Sequence, residues 1–86
     1  MSTPSILDEM REVATLVEEL LPAVNGRSRF VAGATLADLV ASWIASHYVP
    51  DDKPETRKVR EELLKEHIRM VRHLMGVNAK MIGTDT

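Results

Sequence analysis

Apolar residues near the start of the chain advance by alternating fours and threes: Ile6, Met10, Val13, Val17 and Leu20, with Leu7, Ala14 and Leu21 alongside at seven-residue intervals. At about 3.6 residues per turn this spacing gathers them into one stripe along a helix and leaves Glu12, Glu18 and Glu19 outside it. Thr3 and Ser5 are suitable N-caps, Pro4 suits a first turn, and Asp8 and Glu9 lie where the positive end of the helix dipole favours acids. Pro22 disfavours helical geometry at Leu21 and lacks a backbone donor. A first helix over about residues 4–21 is therefore predicted, with a further turn to Val24 as the alternative and a turn at Asn25-Gly26.

No helical rhythm runs from Arg27 to Ala34, which predicts a connector anchored by Phe30 and Val31. Thr35 followed three positions later by Asp38 has the form of a capping box and opens a second helix, about residues 35–49. Leu36, Ala37, Leu39, Val40, Ala41, Trp43, Ile44 and Ala45 leave it almost no polar face, so burial on several sides is expected. Asp52 as N-cap, Glu55 three positions on, and Pro54 in the first turn start a third helix, about residues 53–82. The short link makes the second and third helices an antiparallel hairpin. Along the third, Val59, Leu63, His67, Met70, Leu74, Val77 and Met81 keep the three-and-four rhythm, flanked by Leu64, Ile68, Val71 and Met75. Gly76 is a candidate break, but the rhythm persists beyond it and favours continuation.

The expected architecture is a small all-α three-helix bundle, one domain over residues 1–86. A helix of about 14 residues cannot cover a neighbour on the order of 40 Å long. The carboxyl-terminal half of the third helix overhangs, and a homodimer is expected to bury Leu74, Met75, Val77, Met81 and Ile82 with Met10 and Val17 of the first helix.

Composition narrows the chemistry. The aromatic residues are Phe30, Trp43 and Tyr48, so the side chains available for packing are aliphatic, with five Met among them. The absence of cysteine excludes disulfides, thiolate metal sites and thiol nucleophiles, and permits a reducing compartment. The amino terminus has the pattern of no signal peptide. The longest uncharged run, Leu39 to Pro50, falls well short of the roughly 20 residues that span a bilayer, so a cytoplasmic protein without membrane association is expected. A net charge of -2 gives no general attraction to polyanions, but its distribution is uneven: residues 1–24 carry five acids against one arginine, and residues 53–80 carry eight Lys/Arg against four Glu.

His67 and His73, six residues apart, face different directions on a helix, and with no HExxH pattern no metal site is expected. An antiparallel hairpin carries His67 towards Asp38, which makes that pair a candidate polar contact beside the simpler role of His67 as a packing residue. Arg27 and Arg29 are candidates for an anion or partner contact, set against pairing with Glu18 and Glu19. The basic residues Arg57, Lys58, Arg60, Lys65, Arg69 and Arg72 suggest nucleic acid, but acids one turn away lace most of them and no aromatic is interleaved for base stacking. No nucleophile, phosphate-loop or cofactor pattern is present, so neither catalytic residues nor a cofactor is expected. The expected function is a homodimerising protein–protein interaction module, regulatory or scaffolding, without catalysis; the alternative is a nucleic-acid accessory protein using the third helix.

Overall fold

The computed structural model describes residues 5–84. All regular structure among them is helical, in three elements: α1 (Ile6–Val24), α2 (Arg29–Ala45) and α3 (Lys53–Ile82). The protein is all-α. It divides into two compact units, Met1–Leu39 and Val40–Thr86, so residues 29–39 of α2 belong with α1 and residues 40–45 with α3.

In the first unit, Ser5 caps α1. Its Oγ accepts the Asp8 backbone N–H at 3.2 Å, and the Asp8 carboxylate accepts the Ser5 N–H at 3.3 Å and hydroxyl at 2.9 Å. This is a capping box with aspartate at its third position. Thr3 and Pro4 lie outside the described residues. Of the two expected ends, near Leu21 or at Val24, α1 takes the longer and continues through Pro22 to Val24. A proline in the last turn forfeits one hydrogen bond without a further turn to disrupt, and Asn25 N–H restores the ladder on Leu21 O at 2.9 Å. Gly26 then adopts φ +81°, a left-handed conformation that glycine reaches without strain, and the chain turns there.

The helix α2 begins at Arg29, not Thr35. Ser28 supplies its cap, with Oγ accepting Val31 N–H at 3.2 Å and its carbonyl accepting Ala32 N–H at 2.9 Å. The stretch read as a connector is thus the first two turns of a helix. Phe30 anchors nothing within it, being 80% exposed. At the other end α2 stops at Ala45, short of 49. There Ser46 N–H reaches Ser42 O and Trp43 O, and His47 N–H takes Ile44 O in a tightened final turn.

In the second unit α3 runs unbroken through Gly76 for 30 residues. Asp52 caps it by accepting Glu55 N–H at 2.9 Å, and Gly83, at φ 77°, ends it with N–H groups of Gly83 and Thr84 returned to Lys80 O and Ala79 O. Two side chains of α3 hold the end of α2. Thr56 Oγ1 accepts Val49 N–H at 2.9 Å and donates to Val49 O at 3.2 Å. Arg60 spreads its fork across two carbonyls, Nε to His47 O at 3.0 Å and Nη2 to Ala45 O at 2.8 Å. Further along, Trp43 meets His67 with ring centroids 5.8 Å apart. Partners on α3 advance from 60 to 67 as those on α2 recede from 47 to 43, which is the expected antiparallel hairpin.

Neither unit contains a buried side chain among the described residues. Apart from Ala79, the half-buried residues of the second unit, Val40, Ile44, His47, Val49, Thr56, Val59, Arg60, Leu63 and His67, trace the hairpin seam, and four of these are polar or charged. The expected enclosure of α2 on several sides is not found: Trp43 is 46% exposed, and Leu36 and Leu39 are exposed as well. No helix among the described residues is long and apolar enough to cross a membrane.

Replacing Arg60 by alanine removes two charged hydrogen bonds to helix-end carbonyls; because the site is half-buried, the expected loss is about 1–2 kcal/mol. Lysine at 60 restores little, since one ammonium cannot reproduce the two-carbonyl fork. Urea titration at fixed protein concentration measures both. Gly76→Ala has the opposite expectation. Its added Cβ meets nothing within 4 Å, and Gly76 shares the polar face of α3 with Arg69 and Lys80. The same titration should show a gain of about 1 kcal/mol from helix propensity.

Candidate interaction surface

The apolar arc of α3 contains two seams. The first, Val59, Leu63, His67, Met70, Leu74, Val77 and Met81, starts against the end of α2, where Val59, Leu63 and His67 are half-buried, and runs on past it. The second, Leu64, Ile68, Val71, Met75 and Ile82, lies about 100° around the helix and is exposed throughout. Lys65 and Arg72 border this second seam, with Arg69 just outside them. A shallow groove on α3 links the seams through Val71, Leu74, Met75, Asn78, Ala79 and Ile82. Of the residues expected at an interface, Leu74, Val77 and Met81 therefore extend the hairpin seam, while Met75 and Ile82 belong to the open one.

The stripe of α1 is as regular as its sequence spacing requires, and its members Ile6, Met10, Val13, Val17 and Leu20 are all exposed. Its carboxyl-terminal end joins Thr35, Leu36 and Leu39 of α2 around a groove of about 310 Å³ with an apolar lining of Val17, Leu20, Leu21, Ala23 and Val24. Both Met10 and Val17 thus lie on an open surface.

The charged candidates resolve differently. Arg27 donates from Nε to Ala23 O at 3.2 Å and so caps the end of α1, while Arg29 opens α2. Among the described residues the recorded salt bridge is Arg11–Asp8 at 3.9 Å, between exposed side chains. Neither the expected pairing of these arginines with Glu18 and Glu19 nor the lacing of α3 forms as direct ion pairs. Exposed long side chains gain too little from pairing to hold one geometry. Arg60 leaves the basic face altogether to clasp α2. Sequence spacing held a signal for that role, because Thr56 and Arg60 are four apart on the helix face that a short antiparallel link turns towards the end of α2.

Two of the three histidines, His47 and His67, sit around Trp43. His47 packs edge-on to its ring with centroids 5.4 Å apart, and with its proton on Nδ1 donates to Trp43 O at 2.9 Å. His67 meets the ring from α3 and has no recorded hydrogen bond among the described residues. Asp38, its expected partner, is exposed and belongs to the first unit. Among the described residues no group of three His, Asp or Glu side chains is placed to hold a metal ion. A hollow beside the α2–α3 link, lined by Asp51, Asp52, Lys53, Thr56, Arg57 and Glu61, is open and mixed in charge.

Within the second unit His67 packs against Trp43. Substituting leucine replaces a half-buried polar ring, so His67→Leu should be neutral or stabilising by up to about 1 kcal/mol with helical circular dichroism unchanged.

No protein-family model matches the chain, and no curated protein or solved structure is significantly similar to it.

Proposed function

We propose that this chain is a small cytoplasmic helical interaction module, without catalytic activity of its own, that self-associates and serves as a regulatory or scaffolding part through helix-to-helix contacts. One observation carries this reading: two helical hairpins fold with no buried side chain among the described residues, while regular apolar seams stay open on α1 and α3. Ordering the backbone costs about 1–2 kcal/mol per residue, and apolar burial is the main offset. Open seams of this regularity are surfaces for another helix.

The electrostatics agree. Acids predominate on α1, and the carboxyl-terminal half of α3 carries Arg69, Arg72 and Lys80 with no acid, a distribution that orients helices against each other. Under this reading the basic arc is the counterpart of an acidic helix rather than of nucleic acid. Sedimentation equilibrium on the full chain at tens of micromolar should give a dimer, with unfolding midpoints that rise with protein concentration. A folded monomer with a concentration-independent midpoint would overturn the reading.

A further inference from the structure

We infer that the stripe of α1 in one copy lies along the second seam of α3 in another copy, and that the contact is made twice in a reciprocal dimer. The inference rests on the self-association reading and adds which faces meet. Both surfaces keep the same spacing: Ile6, Met10, Val13 and Val17 step 4, 3, 4, and Leu64, Ile68, Val71 and Met75 step 4, 3, 4. Helices matched in this way interlock side chain into gap along a left-handed crossing. Within its own unit the α1 stripe is open from Ile6 to Val13, with Val17 and Leu20 at the rim of the α2 groove, and the α3 seam is open throughout. The stripe residues Ile6 to Leu20 range from 50% exposed at Val17 to 74% at Ile6, and the seam residues from 37% at Leu64 to 72% at Ile82.

Charge selects the pairing. Glu9 and Glu18 border the stripe of α1 on its two sides, whereas Lys65 and Arg72 border the seam of α3. Two α1 stripes brought together would oppose acids to acids, and two α3 seams bases to bases; the mixed pairing alone is complementary. The first seam of α3 is a weaker candidate because α2 already occupies its start. A second copy is the natural occupant since one chain carries both halves of the complement, and a two-fold axis satisfies both at once.

The area is sufficient. If each of five side chains per helix buries roughly 60–100 Å² of apolar surface, one pairing removes about 600–1,000 Å² and the reciprocal pair about 1,200–2,000 Å², the range of a standard stable interface.

The cysteine-free sequence makes the test direct. Val13 and Val71 lie near the middle of their surfaces, so they meet whichever way the helices run. Mixed under mild oxidation, Val13→Cys and Val71→Cys chains should form the mixed disulfide dimer in preference to either like-with-like dimer. Separately, Glu9→Lys/Glu18→Lys and Lys65→Glu/Arg72→Glu chains should each dimerise on the order of tenfold more weakly, and an equimolar mixture should recover association. Preferential like-with-like disulfides, or no recovery on mixing, would overturn the facial assignment while leaving self-association standing. An intramolecular disulfide in a monomeric doubly substituted chain would overturn it in favour of closure within one chain. A monomeric unsubstituted chain would remove the underlying reading itself.

Discussion

Seventeen residues of α2 serve two hairpins, and neither hairpin contains enough of it to cover its longer member. The 19 residues of α1 extend about 28 Å and the 30 of α3 about 45 Å, whereas α2 offers residues 29–39 to one and 40–45 to the other. Such a length mismatch leaves apolar seams open however well each contact is made. It accounts for the lack of buried side chains within the units, and for the regularity of the surfaces left outside. Those surfaces retain the order of a packing face because they are parts of continuous helices, whose periodicity does not stop where the neighbouring helix does.

Without enclosed apolar side chains, the direction of the second hairpin is set by polar contacts. The last carbonyls of a helix lack intrahelical partners, and Arg60 meets that of Ala45 at the end of α2 together with that of His47 just beyond it. A guanidinium there also complements the negative end of the helix dipole. Thr56 satisfies both backbone groups of Val49 and fixes the link one turn earlier along α3. Val59, Leu63 and His67 follow on the same face, so the polar clasp positions the apolar seam. The carbonyls accept from one fork at defined points, whereas the aliphatic side chains, half-exposed and interchangeable in position, would tolerate a shifted register.

The helices most legible in sequence are those with a polar face. In α1 and α3 apolar residues return every three or four positions against charged ones, and caps at Ser5 and Asp52 mark the starts. Pro22 leaves the end of α1 open between Leu21 and Val24 in the sequence, because its cost depends on place: in the last turn it costs less than in the middle. The opening of α2 was hidden for the opposite reason. Arg29 to Ala34 shows no contrast between faces, so only Ser28 ahead of it signals a helix. The candidate surface divides likewise. Open positions such as Met10, Val17, Met75 and Ile82 follow from helix length and spacing. Arg60 does not, because its role depends on which carbonyls lie opposite, a property of the hairpin and not of the helix that carries it.

One stripe in the sequence of α3 is two surfaces in the structure. Its apolar residues cover an arc wider than a single neighbouring helix can bury, since an α-helix presents roughly 100° to one partner. Val59 to Met81 and Leu64 to Ile82 are therefore separate surfaces. The first seam is engaged by α2 of its own hairpin, whose link is short and whose clasp is local, so its contacts can form early and without a second chain. The second stays open on the hairpin. In the dimer proposed above, assembly follows hairpin formation in time, and the exposed seam with its basic border is what the preformed hairpin presents. Lys65 and Arg72 keep that seam bordered by charge in the meantime, which disfavours the approach of an identical seam and favours that of an acidic helix.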